Sequence, residues 1–159
     1  MLDPRTRPGA HVGVAASDAS GVLAHPVRTL PRDVDADTDV DAIVALTQDL
    51  QAIEVVVGLP RLLSGQEGEA ARIARDYAGR LAARLGTVEV RVVDERLTTV
   101  DAHRRLRDSG VPGRGQRAVV DQAAAVLILQ SALDTEALSG RPPGETVTPG
   151  GKRKKERRR

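Results

Sequence analysis

The chain has 159 residues, 40% of them apolar, with a formal net charge of +2, long enough for one compact domain with a real core and too short for two comfortable ones. Tyr77 is the only aromatic residue and cysteine is absent. The core is therefore aliphatic, a base-stacking reader is disfavoured, and disulfides, thiolate zinc sites and cysteine nucleophiles are excluded.

The first strand is predicted over His11–Ser17 and a second over residues 21–29, separated by the turn-forming cluster "SDASG". The two read as an antiparallel hairpin. Pro26 inside the second run marks an edge or a bulge. Residues 31–39 form an acidic linker, and Thr38 or Asp39 caps a helix that reaches about Gln51, with Ile43, Leu46 and Leu50 at helical spacing. "IEVVVGLP" (53–60) reads as a strand buried on both faces. A long helix follows Ser64 or Gly65, carries the stripe Ile73, Tyr77, Leu81 and Leu85, and ends at Gly86. "VEVRVV" (88–93) is a further strand that runs directly into "DERLTT".

A helix over about 99–108, a Gly-rich break at 110–115 and a last helix over about 117–138 complete the pattern. The expected fold class is α/β, a mixed sheet of antiparallel hairpin strands plus parallel strands, flanked by helices. Residues 1–138 form the domain, and 139–159 read as a disordered linker and basic tail. The tail, Lys152 to Arg159, holds seven basic side chains and Glu156, which leaves the rest of the chain at a net −4. Such a tail attracts phosphate backbones by counterion release, or serves only as a solvated terminus. The longest apolar run, Ala123 to Leu129, falls far short of the roughly 20 residues that span a bilayer. No secretory leader is visible, and a soluble, cytoplasmic protein with no membrane partner is expected.

Phosphate-cradling loops of the GxxxxGK[ST] and helix-opening GxGxxG kinds are absent. His11, His25 and His103 lack metal-ligand spacing, and Ser17 and Ser64 lack a nucleophile elbow. Carboxylates remain. Asp94 and Glu95 directly follow a buried strand, the place where open α/β sheets bind ligands. A paired acid there calls for a cation, supplied by Arg96 or by a divalent metal; Arg96 alternatively grips a phosphate. Thr98 has a plain structural role as an N-cap, with Asp101 three residues on. Asp121 lies in the second turn of a helix that is apolar almost all round, and an acid there needs an arginine, a helix N-terminus or a metal.

Taken together, "GVAASD" (13–18), "VVGLP" (56–60) with "SGQEG" (64–68), "DERLTT" (94–99) and "VDQAAAVLILQSALD" (120–134) resemble the YqgF family, also called RuvX. These are Holliday-junction-resolvase-like proteins taken to be pre-16S rRNA nucleases, with an RNase H-like fold. The resemblance implies a five-stranded mixed sheet and metal-dependent hydrolysis of phosphodiester bonds, with Mg²⁺ or Mn²⁺ as cofactor. The implied substrate is nucleic acid, either the 5′ end of precursor 16S rRNA or branched DNA. It implies metal ligands at Glu95 (with Asp94 as alternate) and Asp121, and a substrate-orienting role for Arg96. The protein is expected to act as a monomer or homodimer.

The family's third acid comes from a first strand, and counting back from Gly13 at the usual spacing reaches Thr6. The nearest acid, Asp3, stands three residues earlier and is followed by Pro4 and Arg5. Three accounts stay open. The hairpin carries an insertion and Asp3 fills the role; the first strand begins upstream of Met1; or the acid is lost and the protein binds nucleic acid without cutting it. Asp3 is the assignment carried forward.

Overall fold

The computed structural model describes residues 11–95 and 114–149. In chain order it contains β1 (His11–Ser17), β2 (Ala24–Pro31), α1 (Thr38–Asp49), β3 (Glu54–Leu59), α2 (Glu69–Leu85), β4 (Glu89–Asp94), a helix at Arg114–Ser139, here α3, and β5 (Glu145–Thr146). The α/β arrangement of parallel and antiparallel strands flanked by helices is the one expected. Among the described residues, however, the strands pair as a two-stranded sheet, β1–β2, and a three-stranded mixed sheet, β3–β4–β5, and not as one five-stranded sheet. The expected helix at 99–108, including Thr98 and Thr99, lies outside the described residues.

β1 and β2 form the expected antiparallel hairpin, but β2 starts at Ala24 rather than at Gly21. The turn consumes residues 18–23. Asp18 Oδ1 accepts from the Val22 and Leu23 backbone N–H groups at 2.8 and 3.1 Å, and Asp18 N–H donates to Leu23 O. Val14 lies opposite Arg28 while Ala15 lies opposite Pro26, so one residue is extra on β2. Proline has no N–H for the ladder, and a bulge absorbs that loss.

β3 and β4 are parallel neighbours joined through α2, as a parallel pair requires a long crossover. The stretch read as a disordered linker instead supplies β5, antiparallel to β4, with Arg91 opposite Thr146 and Val92 opposite Glu145. Two devices hold it there. The Arg91 guanidinium donates to the Pro143 and Gly144 carbonyls at 2.7 and 3.0 Å. Gly144 has φ +73°, and a Cβ on it would meet Val92 O at 2.0 Å, so only glycine lets the chain lie so close to β4. Nothing in a Gly/Pro-rich stretch signals such an anchor. The basic tail, 152–159, is outside the described residues.

Alternation along the strands sorts the two faces. Val12, Leu30, Val57, Leu59, Val90 and Val92 pack with α1 and α2 into the main aliphatic core. Val56 faces the other way, onto Ala124 and Ile128 of α3. On α2, Tyr77 and Leu81 of the expected stripe are buried, and Ile73 and Leu85 pack partly buried beside them.

α1 begins at Thr38 after Asp37, and Asp39 turns inward instead of capping. Arg32 Nη1 bonds Asp37 Oδ1 and Asp39 Oδ1, both at 2.9 Å, and Tyr77 O–H donates to Asp39 Oδ2 at 2.7 Å. Arg32 also lies 4.9 Å from the Tyr77 ring centroid, a cation–π distance. Burial, then the bond to Asp39, pushes the Tyr77 hydroxyl well above its ordinary range, so it stays a donor.

α3 begins at Arg114, inside the stretch read as a break, and its buried side is narrower than its sequence suggested. Asp121, Ala124, Ile128 and Ala132 form one buried stripe, while Leu127 is 37% exposed. Gln130 pins the helix to the hairpin by accepting from Ala24 N–H at 2.9 Å and donating to Val22 O at 2.8 Å. Among the described residues no helix is long and apolar enough to cross a membrane.

Candidate functional site

The carboxyl ends of β3 and β4 lie side by side, with Leu59 opposite Asp94. The two acids that looked like a pair in sequence part company here. Asp94 has the strand parity of Val90 and Val92, which face α2, and its Oδ2 is 3.6 Å from Arg61 Nε. Glu95, one residue on, turns to the α3 side and is only 2% exposed. Alternation makes adjacent residues diverge. A strand buried on both faces hides in sequence which of the two looks where.

Two glycines shape the α3 side. A Cβ on Gly58 of β3 would fall 2.4 Å from Glu95 Oε1 and 2.7 Å from Ile128 Cδ1. A Cβ on Gly13 of β1 would fall 2.1 Å from the backbone oxygen of Asp121. Neither glycine has a positive φ, so each is there for space and not for conformation. The bare Cα of Gly58 makes room for a carboxylate, and that of Gly13 lets α3 rest its backbone on the sheet at the turn that carries Asp121. Asp121 is itself 3% exposed and heads the buried stripe that continues to Ile128. Glu95 and Asp121 thus belong to one face and one helix contact. The signal for Gly13 and Gly58 was legible: a glycine inside a strand marks close approach of another group.

Arg61, two residues past the end of β3, was missed altogether. The cation expected beside Asp94 was Arg96, which lies outside the described residues, as does Asp3. Arg61 approaches Asp94 from a loop closed by Leu62 N–H to Gln66 O (2.9 Å) and Gly65 N–H to Leu62 O (2.8 Å).

A family profile described as "RuvX: Holliday junction resolvase" matches residues 9–135. The chain belongs to this family. It is 57% identical over 131 residues to the "Putative pre-16S rRNA nuclease" of Frankia casuarinae, covering 82% of this chain and 65% of that protein. With the protein of the same name from Nocardioides sp. it shares 58% over 140 residues, covering 87% and 90%. The like-named Streptomyces coelicolor protein is 52% identical over 139 residues, covering 87% and 82%.

Membership of RuvX implies a divalent metal. Hard divalent cations take carboxylate oxygens and keep waters, and Glu95 and Asp121 are the right donor type. The Gly58 cradle, open where a methyl would strike Glu95 Oε1, fits a carboxylate held for a purpose other than packing. Among the described residues no group of three His, Cys, Asp or Glu comes together as a metal site, so a full set would draw on residues outside those described.

Proposed function

We propose that this RuvX member is a cytoplasmic, metal-dependent nuclease that hydrolyses phosphodiester bonds at the 5′ end of precursor 16S rRNA. The observation that carries the reading is the burial of Glu95 and Asp121 on one face, beside the space reserved by Gly58 and Gly13. Glu95 and Asp121 would hold Mg²⁺ (or Mn²⁺) with Asp3 as the third acid. When bound, the metal supplies an activated water and stabilisation of the leaving oxygen. The chain's own part is positional. The β4 end fixes Glu95, the contact at Gly13 fixes the turn of α3 that bears Asp121, and the aliphatic stripe below keeps bulk water from both. Arg96 would orient the scissile phosphate through its planar fork. Asp94, engaged by Arg61, is the weaker candidate ligand.

The relatives' printed name supports precursor rRNA as substrate; the family description supports a second reading, resolution of branched DNA. Purified full-length chain, offered a 5′-extended 16S precursor and a four-way DNA junction with Mg²⁺, is expected to trim the RNA. Glu95→Gln and Asp121→Asn are expected to abolish cleavage while the circular dichroism spectrum stays that of the wild type. Cleavage of the junction alone selects the second reading. Equal cleavage by wild type and both variants removes the site assignment, and RNA binding without cleavage marks a binding protein.

A further inference from the structure

Arg61 is held in an unusual way for an inward-lying arginine. Its side chain is 24% exposed, yet Nε is buried and makes no hydrogen bond among the described residues. The nearest acids stand at ion-pair range and beyond hydrogen-bond reach: Asp94 Oδ2 at 3.6 Å from Nε, and Glu145 Oε1 at 3.8 Å from Nη2. Among the described residues its hydrogen bond is a long one, from Nη1 to Gly65 O at 3.4 Å. A guanidinium offers five donors, and a buried donor left unmade is costly enough to need an explanation. Arg75, close by on α2, is the contrast. It donates through Nε and Nη2 to Glu67, whose carboxyl it holds below the usual range, and also reaches Glu145 Oε2 at 3.2 Å.

The Glu145 carboxylate therefore spans two guanidinium groups, Arg61 and Arg75, and its residue lies opposite Val92 of β4, three positions before Glu95. It comes from the two-residue strand β5 and is 59% exposed. Its backbone is anchored by Arg91 and Gly144, but its side chain swings free at little cost, because exposed ion pairs contribute little. A phosphate, like a carboxylate, offers two oxygens that pair with the planar guanidinium fork, and it too is gripped between arginines.

We propose that Arg61 is a binding residue for a backbone phosphate of the nucleic acid, and that Glu145 occupies its place in the substrate-free chain. Incoming phosphate displaces the Glu145 carboxylate and takes its place on Arg61, whose Nε has no acceptor among the described residues; Arg75 stays on Glu67 and adds only its field. This rests on the nuclease reading for the identity of the ligand, and it gives the C-terminal strand a restraining role on substrate entry.

The test measures fluorescence anisotropy of a labelled RNA hairpin with a single-stranded 5′ extension, in EDTA so that nothing is cut, across a salt series. Glu145→Gln, a change at an exposed side chain, is expected to tighten binding several-fold, and Arg61→Gln to weaken it about tenfold. Arg61→Gln should also make the log–log salt slope shallower by about 0.7–0.9, the share of one phosphate. The double variant should bind close to Arg61→Gln alone, since Arg75, the other partner of Glu145, stays on Glu67. Equal affinity of wild type and Glu145→Gln overturns the proposal. So does a gain from Glu145→Gln that persists without Arg61. The same proteins assayed with Mg²⁺ separate the two readings. Cleavage by a wild type whose binding ignores both substitutions sinks only the Arg61 site, whereas the expected binding pattern without any cleavage sinks only the nuclease.

Discussion

On the face covered by α1 and α2, Asp39 is buried among groups that complement it: the Arg32 guanidinium, the Tyr77 hydroxyl and the Asp33 backbone N–H. On the α3 face, Glu95 and Asp121 are buried as deeply, beside glycines and an aliphatic helix stripe. The first arrangement ties the end of β2, the start of α1 and the middle of α2 together. Its acid is one strut in a closed network, and fold stability accounts for all of it. The second sets one glycine against the Glu95 carboxylate and another against the backbone of the turn that carries Asp121, at the end of the sheet where ligands dock. Burial alone does not separate the two kinds of acid; what surrounds each one does.

Amide substitutions on both faces test that distinction most severely. Glu95→Gln and Asp121→Asn are expected to lower the cleavage rate by about a hundredfold or more, since loss of even an outer-shell partner costs 10–100-fold. Asp39→Asn is expected to do the reverse: keep the specific activity of the folded fraction and lower unfolding free energy by about 3 kcal/mol or more, the range for breaking a buried ion pair. Urea midpoints and single-turnover rates measured on all three proteins read both effects. A large stability loss in Glu95→Gln with cleavage intact would erase the difference between the faces.

The two site glycines sharpen the comparison at smaller scale. In Gly58→Ala the new methyl meets the ends of two side chains, Glu95 and Ile128, which can shift. The fold is expected to survive and kcat to drop between about ten- and a hundredfold, as misplacement by an ångström can cost that much. In Gly13→Ala the methyl meets the backbone of α3, which cannot yield locally. About 1–3 kcal/mol of stability should be lost through overpacking, with a drop in melting temperature as the readout. A Gly58→Ala enzyme of full activity would mean that the Glu95 carboxylate needs no fixed position.

Much of the fold was legible because each element carries its own signal. The hairpin came from its turn cluster and Pro26, α2 from its apolar stripe and Gly86, β3 from a continuous aliphatic run. The family motifs pointed to Glu95 and Asp121 as candidate ligands, an assignment that the cleavage assays test. Three things were hidden for physical reasons. A strand buried on both faces carries no alternation to say that Asp94 and Glu95 look opposite ways. β5 is held by Arg91 and a left-handed Gly144, contacts between residues more than fifty positions apart. Arg61 sits after a proline in a loop, where an arginine is ordinarily just a surface residue, and only its unmatched donors and the distant Glu145 give it meaning.

The smallest effect expected concerns pH, and on the α1/α2 face it is read at Asp37. Asp37 accepts from Arg32 and, at 2.8 Å, from Arg80, and the Arg32 bond leads in holding its carboxyl below the ordinary aspartate value of 3.8. A depressed carboxyl stabilises the fold in full above that ordinary value, and the stabilisation is lost as pH falls through the lower folded-state value. Asp33, lowered by the backbone N–H of Ala36 and the Thr38 hydroxyl, acts in the same direction. The melting temperature of the wild type should therefore be insensitive to these groups near neutrality and fall below about pH 4. Asp37→Asn should lie below the wild type by a constant margin at neutral pH, and the margin should close as the pH drops under 3.8. A margin that stays open in acid would place the role of Asp37 in packing and not in charge. Then the Arg32 guanidinium, the Tyr77 hydroxyl and the Asp33 N–H, the partners of Asp39, would remain as the polar seal of that face.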